Sequence, residues 1–205
     1  RSKMKITLVE FQGGTFQLGG TGQEVEVKPF AMSIYPVTRE QYKELYPDYP
    51  GNKYSDQDDQ PVSYVSWDDA VRYCQWLSEK TGENYRLPTE AEWEFAASGG
   101  GYRQYPWGDE EPTTKRANYD ESKIGKTTPV GSYPLGATQE GLFDMAGNVW
   151  EWCSDWYDEK QISRVVRGGS FDVNQDYLRC AARYRDFPYF RNLVMGFRVV
   201  RGFSA

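Results

Sequence analysis

Apolar positions recur along this chain with two different periods. In "WDDAVRYCQWLSEKTG", Trp67, Ala70, Val71, Cys74 and Leu77 are spaced by three and four residues, which puts them on one helical face turned toward a core. Ser66 is placed to cap that helix, Asp68 and Asp69 bring negative charge to its first turn, and Gly82 follows its end. Two shorter helices carry their own start signals. Thr38 with Gln41 makes a capping-box pattern before "REQYKEL", and Thr89 with Glu92, just after Pro88, opens "EAEWEFAAS". Strands are predicted for "ITLVEF", "GTFQLGG", "EVEVKPFAMSIYPV", "RVVRGGSF" and "GFRVVRGF", short runs bounded by turn residues. Helices in the first half and strands returning at the C-terminus predict an α+β fold.

Between these elements lie three long stretches rich in Gly, Pro, Asp and Ser: Tyr46 to Pro61, Ser98 to Thr114 and Asp120 to Gly141. Irregular connections of that length are expected to be functional, or pinned by ions and polar networks. No linker or internal repeat interrupts the chain. Residues 11–201 are therefore read as one domain, preceded over residues 1–10 by an N-terminal strand and a short expression remnant with Met4 as the natural start.

Composition narrows the class. With 205 residues, 39% hydrophobic and 16% aromatic, the chain can bury one sizeable core. A net charge of −6 and a pI near 4.9 leave no electrostatic footprint for phosphate backbones or anionic lipid, so neither nucleic acid nor membrane insertion is expected. No signal peptide or transmembrane run is evident, and localisation stays open between the cytoplasm and display on a surface or virion. Cys74, Cys153 and Cys180 sit in apolar or aromatic surroundings, which suits buried thiols better than a disulfide framework.

Histidine is absent, which removes the usual base of Ser and Cys triads and the commonest ligand for zinc, copper and iron. Glu90, Glu92 and Glu94 in "RLPTEAEWE" invite an acid/base reading, but helix capping and surface solvation account for them more simply. Trp67, Trp76, Trp93, Trp150, Trp152 and Trp156 are read as core and motif packing.

Several stretches, taken in order, then become recognisable. "GGTFQLG", "YPVTREQY", "PVSYVSWDDAVRYCQWLSEKTGENYRLPTEAEWEFAAS", "YPWGD", "ANY", "TTPVGSYP", "GLFDMAGNVWEWCSDWY", "RVVRGGSF", "RCAAR" and "GFRVV" resemble the sulfatase-modifying-factor family typified by formylglycine-generating enzyme. The resemblance runs from about Phe11 to Arg198 and implies a loop-rich, C-type-lectin-like fold whose N- and C-terminal strands lie close together. That fold hosts oxidases, accessory proteins and ligand binders alike. The family's oxidase activity rests on a copper-binding cysteine pair shortly after the "GGS" turn. Here Phe171 to Leu178 contain no cysteine, and Cys180 matches the position in "RCAAR" outside that pair. The thiolates for soft copper ligation are therefore missing, and the related iron-dependent branch needs histidines that this chain lacks. Copper, iron and zinc are not expected.

The stretch Gly168 to Val200 shows a further resemblance, to family members that serve as variable proteins of diversity-generating retroelements. A frame of Gly168, Gly169, Ser170, Arg179, Arg183, Arg185, Arg191, Gly196, Phe197 and Arg198 surrounds an unpatterned filling. In such proteins, asparagine-type codons in the filling are randomised at their adenines, which permits Phe, Tyr, Asp, Val, Ala, Leu and Asn but never Lys, Glu, Gln, Met or Trp. The filling here is Phe171, Asp172, Val173, Asp176, Tyr177, Ala182, Tyr184, Asp186, Phe187, Tyr189, Phe190, Leu193 and Val194, all within the permitted set. The resemblance implies that these residues, inside a variable region spanning 171–194, bind a protein or other macromolecular ligand without catalysis; the alternative is an oxidase or accessory protein of the family. Aromatic-rich mixtures with Asp and Asn resemble adaptable paratopes. Core packing remains an equal reading for Phe171, Val173 and Leu193, while Tyr184, Phe187, Tyr189 and Phe190 are expected to be exposed.

The resemblance also assigns calcium to oxygen ligands at Asp144, Gly147, Val149 and Glu151, with a second site at Asn118 and Tyr119 whose expected aspartate falls near Ser122. Against it stands a metal-free reading in which these side chains satisfy buried backbone groups.

Overall fold

The computed structural model describes residues 5–19 and 21–203, so the expected start at Met4 lies outside the described residues. Four strands open the chain: β1 (Leu8–Phe11), β2 (Gly14–Leu18), β3 (Gln23–Val27) and β4 (Phe30–Ser33). The predicted run from Glu24 to Val37 is divided, because Pro29 has no N–H for a ladder and Lys28-Pro29 lets the chain leave one sheet for another. β3 pairs with β2 in a separate hairpin, while β4 joins the first sheet.

All three helices start where their capping boxes place them: α1 (Arg39–Leu45) from Thr38, α2 (Trp67–Thr81) from Ser66 and α3 (Glu90–Ser98) from Thr89. Each cap oxygen takes the N–H three residues on, and the residue there reaches back to the cap. Gly82 and Gly99 end α2 and α3 in the left-handed conformation. In α2 the fully covered side is Ala70, Tyr73, Cys74 and Leu77, whereas Trp67 and Val71 flank it half-buried.

The remaining strands are β5 (Tyr85–Arg86), β6 (Trp150–Trp156), β7 (Arg164–Arg167), β8 (Tyr184–Asp186), β9 (Met195–Gly196) and β10 (Val200–Gly202). β1, β4, β10 and β5 form one sheet, in which β4 lies between the first and last strands of the chain. β8, β7, β6 and β9 form another, antiparallel except where β9 runs parallel to β6. Trp93, Trp152, Phe30, Phe197 and Leu77 are among the fully buried side chains of the core around them.

The long connections are held by polar bonds. Asn52 Oδ1 accepts from the N–H groups of Tyr54 and Ser55, Thr127 N–H donates to Tyr54 O, and Lys126 pairs with Asp56. The architecture is a loop-rich α+β fold.

Candidate ligand-binding surface

The scaffold beneath the C-terminal segment is built from buried charge. Arg167 on β7 is fully buried and pairs with Glu90 at 2.8 Å and Glu94 at 2.9 Å, while its Nη1 donates to Cys180 O at 2.7 Å. Arg183 reaches the same Glu90 and also donates to Tyr157 O at 3.0 Å. Glu92 closes its capping box and forks with Arg86 at 2.6 and 2.7 Å. Surface solvation of Glu90, Glu92 and Glu94 is thus corrected: all three are buried, and each is compensated by a guanidinium. Desolvating a carboxylate is tolerable only with such partners.

The turn after β7 needs its glycines. Gly168 has φ +98° and Gly169 φ +74°. A Cβ on Gly168 would lie 3.0 Å from Met145 O, and one on Gly169 3.1 Å from both Leu178 and Val173 side chains.

From this turn the filling residues take three environments. Phe171 and Ala182 are buried: Phe171 stacks on Tyr54 at 5.7 Å, which favours the core reading of its two, and the expectation that Ala182 faces a ligand is corrected by its burial. Val173, Asp186, Phe187, Leu193 and Val194 are half-buried, which corrects the expected exposure of Phe187; Val173 and Val194 pack against the core. Asp172, Asp176, Tyr177, Tyr184, Tyr189 and Phe190 are exposed.

Two ring groups result. Phe187, Tyr189 and Phe190 pack on one another at 5.3 to 5.7 Å, yet Tyr189 remains 66% and Phe190 50% exposed. Tyr177 and Tyr184 both contact Trp150 at 5.7 Å. The turn carrying the first group is anchored on the start of α2: Asp68 N–H donates to Pro188 O, Tyr64 N–H to Asn192 O, and Arg191 pairs with Asp69 at 2.8 Å. Burial pushes the Asp69 carboxyl up, but Arg191 and the Ser66 N–H outweigh it and hold it below its ordinary value. Beside this turn lies a cleft of about 450 Å³, lined in part by Tyr46, Tyr49, Tyr64, Asp69, Arg72 and Arg191. None of the filling residues lines it, and no sequence motif marks it, because its walls come from α1, α2, the loop between them and the frame residue Arg191.

The frame arginines have divided roles. Arg179 Nε donates to Asp176 O, whereas Arg183 and Arg185 lie over the Tyr157 ring at 4.4 and 4.7 Å. Arg198 is fully buried, donating to Phe143 O and Ser33 O and forking onto Glu151 at 2.7 and 3.0 Å.

That fork bears on calcium. Glu151 Oε1 also accepts from Trp93 Nε1 at 2.9 Å, so the Glu151 carboxylate is fully engaged by Arg198 and Trp93 and does not fit as a metal ligand. Asp144 is buried, accepts from Gly131 N–H at 2.8 Å, and its carboxyl is pushed up to about 6 by desolvation. Gly147 N–H donates to Gly168 O, and Val149 is buried in the same loop. The second set differs: Asn118 Oδ1 is a buried oxygen with no hydrogen-bond partner, and Tyr119 O accepts from Ser122 N–H. Among the described residues, no group of His, Cys, Asp and Glu is arranged to hold a metal by itself.

The cysteines are free and buried. Burial pushes the Cys74 thiol up to about 12 and raises those of Cys153 and Cys180 as well. None presents a thiolate at neutral pH. Among the described residues, no helix is long and apolar enough to cross a membrane.

Comparison with known proteins agrees with this architecture. The solved Treponema denticola variable protein 1 superposes with a TM-score of 0.86 at 25% identity, covering 96% of this chain and 95% of that one. The inactive C-alpha-formylglycine-generating enzyme 2 of Bos taurus is 30% identical over 275 residues, covering 96% of this chain and 88% of its own length. The serine/threonine-protein kinase pkn1 of Chlamydia caviae is 44% identical over 160 residues, which are 69% of this chain but only 24% of that protein. The fold is the C-type-lectin-like form that its formylglycine-generating relatives share. The model of the sulfatase-modifying factor enzyme 1-like domain matches residues 2–203, and the chain belongs to that family.

Proposed function

We propose that this chain is a non-catalytic ligand-binding protein of the retroelement-diversified kind, which presents a variable surface on a fixed scaffold to a protein partner. One observation carries this reading: residues 177–190 expose rings that pack on each other, while Arg183 and Arg198 of the frame and the adjacent Arg167 are ion-paired beneath them, the last two fully buried. Rigid rings supply contact area at small rotamer cost, and the scaffold holds its shape whatever side chains they carry. Similarity to a variable protein supports the same reading.

The encoding DNA tests it. The expected finding is a nearby repeat of the segment for residues 171–194, differing mainly at adenines, beside a reverse transcriptase gene. Absence of both overturns the reading. The competing activity is oxidation of a substrate cysteine, favoured by family membership. Incubating copper-loaded protein with a cysteine-containing peptide and measuring formylglycine by mass decides it; the buried, protonated thiols lead us to expect no product above the uncatalysed level.

For calcium, we assign any ion to the Asn118 side. An ion bound only by the folded state raises the melting midpoint by mass action, about 1.4 kcal/mol at ten times its dissociation constant. A calcium-dependent rise after chelation that survives Asn118→Ala would overturn that assignment.

A further inference from the structure

Trp150 differs from the core tryptophans in what covers it. Its ring is 4% exposed, yet two of its ring neighbours, Tyr184 and Tyr177, are 47% and 37% exposed. Tyr184 lies over the indole near-parallel, at 5.7 Å and 28°, while Tyr177 meets it edge-on at 75°. The tyrosines also contact each other at 6.3 Å. They act as a lid of outward-facing side chains. The indole N–H of Trp93 donates to Glu151 and that of Trp152 to Val65 O, but the Trp150 N–H has no acceptor among the described residues.

The backbone around this stack does not depend on the lid. Trp150 is held on β6 by its N–H donating to Val194 O at 2.8 Å and by pairing with Met195. Tyr184 pairs with Val166 at the start of β8, so its strand is fixed by main-chain bonds that any residue can make. Tyr177 and Tyr184 are both filling positions, whereas Trp150, on β6, lies outside the variable region 171–194. The lid is therefore replaceable and the floor is constant.

We propose that Trp150 is a fixed ring-accepting floor of the variable surface. In this chain it is occupied by the protein's own Tyr184. In sibling chains with a small residue at position 184, an aromatic side chain of the bound protein partner takes that place, stacking on the indole with the free N–H available to a polar ring substituent. The inference rests on the diversified-surface reading and adds one constant subsite to it. Stacked and edge-on ring pairs add affinity beyond their buried area, so a constant floor gives many different fillings a shared anchor.

Tyr184→Ala in the full chain opens the site, with p-cresol, the tyrosine side-chain analogue, as probe. The variant, checked for cooperative unfolding, is expected to bind p-cresol with a dissociation constant on the order of millimolar, as suits a fragment of this size. Saturation should raise its melting midpoint by about 4 °C. The Trp150 indole resonances should shift on binding, and unmodified protein should show no saturable binding. Tyr184→Ser serves equally if the alanine variant does not fold. Failure of the folded variant to bind, or equal binding by Tyr189→Ala, overturns the proposal. These outcomes are separate from the DNA test. Ring binding without a template repeat would leave a constant aromatic site on an undiversified protein; a template repeat without ring binding would leave diversification and remove the floor.

Discussion

Phe197 and Phe190 lie seven residues apart, and each packs on two other rings. Phe197 meets Tyr42 at 6.5 Å and Tyr73 at 5.5 Å and is fully buried; Phe190 meets Phe187 at 5.3 Å and Tyr189 at 5.4 Å and is half exposed. Ring contact alone therefore does not make a core. Phe197 is enclosed because α1, α2 and the sheet carrying β9 converge on it, whereas the ring group of Phe190 sits on one turn at the start of α2, with Tyr189 and Phe190 exposed. An exposed, self-packed group of this sort keeps its contact area available for a partner.

The contrast predicts that stability resides in buried frame residues, and the sharpest way to break it is at Arg198. Arg198→Ala leaves the Glu151 carboxyl buried and stripped of its guanidinium, with an expected cost of about 3–5 kcal/mol in denaturant unfolding. A cost near that of a surface change would show that the frame does not hold the fold. Next in size is Phe171→Asp, a substitution within the randomisation set. It puts a charge under Tyr54 and should cost about 3 kcal/mol, dividing the variable segment itself into a structural and a contact part.

Asp144 offers a change of pH. Its folded-state value near 6 exceeds the ordinary carboxylate value, so between about pH 4 and 6 the folded state binds more protons and stability falls as pH rises. Asp144→Asn should flatten that decline and gain about 2 kcal/mol over the parent between pH 4 and 7. Parallel stability curves for the two proteins would remove the effect. The smallest change per residue is expected from replacing Tyr184, Phe187, Tyr189 and Phe190 together by Ser. Each should cost within about 0.5 kcal/mol, with the melting curve remaining cooperative. A fourfold variant less stable than Arg198→Ala would invert the comparison, making the filling the core.

Much of the local structure was legible in the residues themselves. Thr38, Ser66 and Thr89 announce all three helices, because a capping box is satisfied by atoms three residues apart. The glycine turn at Gly168 and Gly169 and the exposure of Tyr184, Tyr189 and Phe190 were likewise readable from sequence pattern. Burial was less so. Glu90 and Glu94 look solvated on a helix, and only the arrival of Arg167 from β7, more than seventy residues away, makes them interior ions. Phe171 and Phe187 are alike in the chain, but Tyr54 covers the first from a distant loop while the second is half-buried beside the exposed Tyr189 and Phe190. Trp150 carries the same lesson, since its motif marks it as packing and only the placement of β8 shows that an exposed ring stacks on it. Caps, turns and the permitted residue set are determined by neighbours along the chain, whereas desolvation depends on atoms brought from elsewhere by the sheets; hence the sequence specified the elements and frame, and the tertiary structure alone decided which charges and rings were taken out of water.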